Sequence, residues 1–134
     1  MKKRHLTKKQ SGNLIKLGID PNNASFVFWK QIKNWKGEPI EKHDIIERFA
    51  HKPMEHLHVG FEKFEHEDIF SLEDLMSILP NRIEDNDLLI RYSDFGWNVG
   101  YFDIQGSTHI KLELIDAVYD TLVWYIKNMD VNKK

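Results

Sequence analysis

The stretch FSLEDLMSILPNRIEDNDLLIRYSDFGWNVGYFDI, Phe70 to Ile104, changes its hydrophobic period once, and that change restricts the fold more than any other feature. Leu72, Leu75, Met76 and Leu79 recur at the i, i+3, i+4, i+7 spacing of one helix face. Ser71 precedes them as a cap with Asp74 three residues on, and Pro80 stops the run. Beyond it, DLLIRY and WNVGYFDI read as two strands joined through SDFG, where Gly96 can take a positive φ. Trp97, Val99 and Tyr101 then share one face of the second strand. A helix that runs into a hairpin calls for an antiparallel sheet with helices laid on it.

The flanking segments agree with this reading. Thr7 and Gln10 form a capping-box pattern ahead of Leu14, Ile15 and Leu17, with Gly18 as the residue that ends the helix. Asp20 to Asn23 is turn chemistry. Ser25 to Ile32, SFVFWKQI, is aromatic and β-branched enough for a strand. NWKGEPIEKHD reads as a loop, followed by a short helix from Asp44 to Ala50 that Pro53 breaks. Leu57, Val59 and Phe61 alternate with His56, His58, Gly60 and Glu62 as in a half-buried strand. A long closing helix is expected from Lys111 to about Met129, with Leu112, Ile115, Val118, Tyr119, Leu122, Tyr125, Ile126 and Met129 on its apolar side and Glu113, Asp116 and Asp120 outward. The expectation is α+β: a single domain over residues 1–134, with 1–6 and 130–134 frayed, in which helices pack on one face of a three- to four-stranded, mostly antiparallel sheet.

Composition narrows the function. The chain has no cysteine, which excludes disulfides and thiolate chemistry. Its longest apolar run, Leu122 to Ile126, is far short of the roughly 20 residues of a spanning helix. A soluble, cytoplasmic protein with no membrane association and no cofactor is therefore expected. The net charge of −2 conceals an asymmetry: residues 1–36 carry +8 and the remainder −10.

Three sets of residues could carry function. The basic N-terminal third, Lys2, Lys3, Arg4, Lys8, Lys9, Lys30, Lys33, Trp35 and Lys36, interleaves cations with aromatic rings, as single-stranded nucleic acid requires for phosphates and bases. That reading needs Trp35 exposed beside Lys33 and Lys36. His56 and His58, on alternate residues of a strand with Glu62 joining their face, have the direction of a metal pair for a metal-dependent hydrolase, with His51 or His66 as further ligands. No HExxH or EF-hand loop supports them, and the competing reading is a solvated surface. The acidic residues Glu65, Glu67, Asp68, Glu73 and Asp74, like those of the closing helix, are spaced as solvated faces. Asp94-Phe95-Gly96 imitates a kinase triplet but sits in a hairpin turn without the other kinase motifs. No GxSxG, phosphate loop or dinucleotide fingerprint occurs, so an enzyme is not expected.

TKKQSGNLIKLGIDPNNAS near the start resembles the Q-S-x-x-L-x-x-L-G-I-x-P opening of small uncharacterised proteins of phages and prophages in Firmicutes and Bacteroidetes. FSLEDLMSILP, the hairpin with WNVGYFD and the closing ELIDAVYDTLVWYI are similar to the rest of that layout, which covers the chain except about Glu41 to Asp68. The resemblance implies an origin and a fold, and brings no catalytic residue. The favoured expectation is a non-enzymatic phage or prophage accessory protein that binds another macromolecule, a second copy of itself included. Exposed aromatic residues would mark that interface.

Overall fold

The computed structural model describes residues 3–47 and 63–129. The fold is α+β, with antiparallel sheets and helices packed on strands. The chain divides into two compact units, one of residues 7–70 and one that joins residues 1–6 to residues 71–134.

In the unit of residues 7–70, helix α1 spans Lys8–Lys16. Thr7 caps it: its hydroxyl accepts from the Gln10 amide while the Gln10 side chain accepts from the Thr7 amide. Gly18, at φ 109°, closes the other end, with the Ile19 amide bonded back to Leu14 and the Gly18 amide to Ile15. Three strands follow: β1 (Phe26–Lys33), β2 (Pro39–Glu47) and β3 (Lys63–Ile69), in the order β2-β1-β3, all antiparallel.

The loop expected at residues 34–44 and the helix expected from Asp44 are replaced by a tight turn and β2. Asn34 makes the turn, its Oδ1 accepting from the Lys36 and Glu38 amides at 2.9 Å each. Pro39 begins the strand, where a missing N–H is tolerated at a sheet edge. The register Phe28↔Ile45 and Trp29↔Asp44 shows β1 imposing extended backbone on a segment whose own sequence is polar. The acidic residues Glu65, Glu67 and Asp68 lie on β3, paired with Lys30, Phe28 and Val27. The strand expected around Leu57 and Val59 falls outside the described residues.

In the other unit, helix α2 covers Leu72–Ile78. Ser71 Oγ accepts from the Asp74 amide at 3.1 Å and Asp74 Oδ2 accepts from the Ser71 amide at 2.8 Å, a reciprocal cap in a buried setting. Leu75 and Leu79 point into the core. Strands β4 (Arg82–Ile83), β5 (Asn86–Ser93), β6 (Gly96–Tyr101) and β7 (His109–Lys111) form an antiparallel sheet in that order. The hairpin expected between β5 and β6 is present, with Ser93 opposite Gly96.

Helix α3 runs Leu114–Met129 and packs on β6 and β7, burying Ile115, Val118, Leu122 and Ile126. It starts later than the sequence pattern suggests, because Lys111 pairs with Trp97 as the end of β7. Leu112, expected on the inner helix face, therefore lies before the helix and is 82% exposed. Thr121 Oγ1, 3.1 Å from the Val99 carbonyl, holds helix against sheet.

Candidate binding surface

The pairing register sorts the side chains of β5, β6 and β7 onto two faces. Leu88/Tyr101, Ile90/Val99/His109 and Tyr92/Trp97/Lys111 share one face, and α3 covers its Val99 and Tyr101 end. Leu89/Gly100 and Arg91/Asn98/Ile110 share the other. That second face is open: Leu89, Phe102 and Ile110 remain between 45% and 58% exposed.

A depression of about 390 Å³ sits there, lined by Leu89, Arg91, Asn98, Gly100 and Phe102 among others. Its floor at Gly100 is bare backbone, because a Cβ there would lie 2.6 Å from Thr108 Cα. Its wall is the turn after β6, braced by Ser107, whose Oγ accepts from the Tyr101 amide at 2.9 Å and donates to the Ile104 carbonyl at 2.8 Å. Asn98 Nδ2 donates to Ser93 Oγ at 2.9 Å, which orients the amide on this face. Arg91 is exposed and has no ion pair among the described residues, whereas nearby Asp87 is already paired with Arg82 at 2.7 Å. The surface thus offers Arg91, without an ion pair among the described residues, beside apolar side chains and the polar Asn98, Asp103, Gln105 and Thr108.

Tyr101, behind this face, donates its hydroxyl to the Pro80 carbonyl. Burial, and secondarily the neighbouring Tyr125, push its phenol well above the usual range. It stays neutral and serves packing, with its ring 6.1 Å from that of Trp124.

The basic residues of the N-terminal third are not gathered into one set. Lys3 pairs with Asp116 at 2.7 Å, and Arg4 is exposed in the same unit. Lys8 lies 3.2 Å from Glu67 and 4.3 Å over the Phe28 ring. Lys30 faces His43 on one side and Glu65 on the other. Lys9 and Lys33 are exposed. Trp35, at the tip of the β1–β2 turn, is 56% exposed with Lys36 Nζ 5.1 Å above its ring. Counted over the unit of residues 7–70, ten Lys and Arg meet ten Asp and Glu, so the early positive charge is balanced within that unit.

Lys2, His56, His58 and Glu62 lie outside the described residues. Among the described residues, no three His, Asp or Glu side chains are grouped to hold a metal ion. No helix among them is long and apolar enough to cross a membrane.

Leu89, Arg91, Phe102 and Ile110 do not stand out in the sequence as a site. The available signal was DLLIRY itself, a strand with apolar residues on both parities, which marks either a buried strand or one with a surface to cover. A comparison with known families, curated proteins and solved structures finds no match to this chain.

Proposed function

We propose that this chain is a non-enzymatic phage or prophage accessory protein that acts by binding another protein through the open face of β5, β6 and β7. The observation that carries this is the grouping of exposed Leu89, Phe102 and Ile110 around Arg91. Exposed apolar residues are ordinary when scattered, but a set brought together on one sheet face beside an exposed arginine is what protein interfaces use at their centre. The test is selection of binders from a displayed peptide library with the wild-type chain and with a Phe102→Ser/Ile110→Ser variant. Selected peptides should bind the variant at least about tenfold more weakly, the loss of two interface anchors. Equal binding to both would remove the open face from the function.

A second reading, single-stranded nucleic-acid binding, is favoured by one observation: Trp35 is exposed with Lys36 against its ring and Lys33 exposed nearby in sequence. It ranks below the first because Lys3 and Lys8 are already paired with carboxylates and Lys30 lies opposite Glu65. Its test is titration of a labelled dT20 oligonucleotide at two salt concentrations, where true phosphate contacts weaken steeply as salt rises.

A further inference from the structure

Strand β5 carries an open edge whose chemistry specifies what can lie against it. The Phe102 amide bonds to the Asp87 carbonyl and the Leu88 amide to the Asn81 carbonyl. Odd-numbered residues of β5 therefore turn their backbone groups toward β6, and even-numbered ones turn them away. Strand β4 pairs only with Asn86 and Asp87. Past Leu88, the outward amides and carbonyls of Ile90 and Tyr92 have no backbone partner among the described residues.

Sheet edges of this kind are usually blunted by charge, proline or a bulge. In the other sheet, the outer strands follow that rule: β2 carries Pro39, Glu41, Lys42, Asp44 and Glu47, and β3 carries Glu65, Glu67 and Asp68. The free part of β5, by contrast, presents Leu89, Ile90 and Tyr92, which are 45%, 37% and 70% exposed, with Arg91 as its single charge.

Two registers of pairing with a second copy are disfavoured at this edge. A two-fold antiparallel pairing that engages Ile90 and Tyr92 of both copies sets Arg91 directly opposite Arg91, and like charges so placed are destabilising. A pairing centred on Ile90 brings Tyr92 of one copy against Leu88 of the other, whose amide is already bonded to Asn81. What complements the edge is a strand with a carboxylate where a second copy would place its arginine.

We infer that the β5 edge takes up an extended segment of a partner protein as an added antiparallel strand, with an acidic residue of that segment opposite Arg91 and apolar residues on either side of it. The flanking residues pair with the free backbone groups of Ile90 and Tyr92, four hydrogen bonds in all, and cover those two side chains. The acidic residue occupies the position between those hydrogen-bonded pairs, where opposed Cα atoms come to about 4.5 Å and side chains meet most closely. The residue after it on the same face would lie over Leu89, so an apolar residue two positions from the acid completes the pattern. This rests on the protein-binding reading above and adds to it the edge, the mode and the class of partner.

The experiment is a displayed library of random nine-residue peptides selected on the full chain and, in parallel, on Arg91→Glu, with Tm confirming that this exposed substitution leaves the fold intact. Wild-type binders should carry Asp or Glu between apolar residues. They should lose at least about fivefold in affinity for Arg91→Glu, whose own binders should carry Lys or Arg instead. Amide hydrogen exchange at Ile90 and Tyr92 should slow on binding. Peptides that bind by way of Phe102 and Ile110, with exchange at Ile90 and Tyr92 unchanged, would overturn strand addition while sparing the open face as the binding surface. Absence of charge preference, or of any binder above a control without bait, would overturn it as well.

Discussion

Lys3 Nζ lies 2.7 Å from Asp116 Oδ1, an ion pair between residues 113 positions apart in sequence. The Lys3 amide also reaches Glu113 at 3.3 Å, and the Arg4 carbonyl accepts from the Leu72 amide. Lys3 and Arg4 are thus fastened to α2 and α3, and two acids of the helix face expected to be solvated receive Lys3. Leu6, fully buried, completes the attachment.

Lys3→Ala should therefore lower stability by about 1 kcal/mol, the upper end for a partly exposed pair. High salt should shrink the difference between variant and wild type. Urea unfolding at low and high ionic strength measures both effects.

The reciprocal cap of α2 sets a larger effect. Ser71→Ala removes the acceptor for the Asp74 amide in a site where Ser71 is 2% exposed. A loss of about 1 to 2 kcal/mol is expected from the urea midpoint. Ser71→Thr should retain most of the stability.

At Gly96, φ is 121° and an added Cβ would run into the Lys111 backbone. Gly96→Ala should cost about 2 kcal/mol, through backbone strain and a displaced β7. Gly12, with open space around it, is the control: Gly12→Ala should be neutral or slightly stabilising within α1.

Tyr101 gives the chain an alkaline limit. Its phenol is raised above the ordinary value of 10.0, so the folded state holds the proton after the unfolded state has lost it. That contribution is complete below pH 10.0 and is lost as pH climbs above it toward the folded value. Tyr101→Phe should cost about 1 kcal/mol near neutrality, for the lost bond to Pro80, and flatten the fall in stability at about pH 11. Unfolding midpoints on both sides of that range decide the matter.

The parts of this fold that could be read from sequence are the local ones. The Thr7/Gln10 and Ser71/Asp74 caps, Gly18 and the turn between Ser93 and Gly96 each place their chemistry within a few residues, so spacing reveals them. Strands β2 and β3 were hidden because β1 supplies their partner groups, and edge strands accept the charges that made Glu41 to Glu47 and Glu65 to Asp68 look like loop, helix or solvated run. Strand β7, His109–Lys111, is too short for a period to show. The candidate surface was hidden for a different reason: Leu89, Asn98, Phe102 and Ile110 become neighbours only through strand register.

The sequence favours a solvated surface over a metal pair at His56 and His58, and metal content tests that expectation directly. Protein purified untagged and without chelator should carry no stoichiometric zinc, manganese or iron, and His56→Ala/His58→Ala should leave stability unchanged. A bound metal lost in the variant would establish a metal site instead.

The open sheet face is tested most directly by titrating isotope-labelled protein, in separate experiments, with a library-selected peptide and with dT20, and following the backbone amide resonances. The peptide should shift Leu89, Arg91, Asn98 and Ile110 in a saturable way, with dT20 leaving them unmoved. Saturable shifts confined to Trp35, Lys36 and their neighbours with dT20, and none on β5 to β7 with peptide, would contradict the protein-binding surface and return function to the basic N-terminal third.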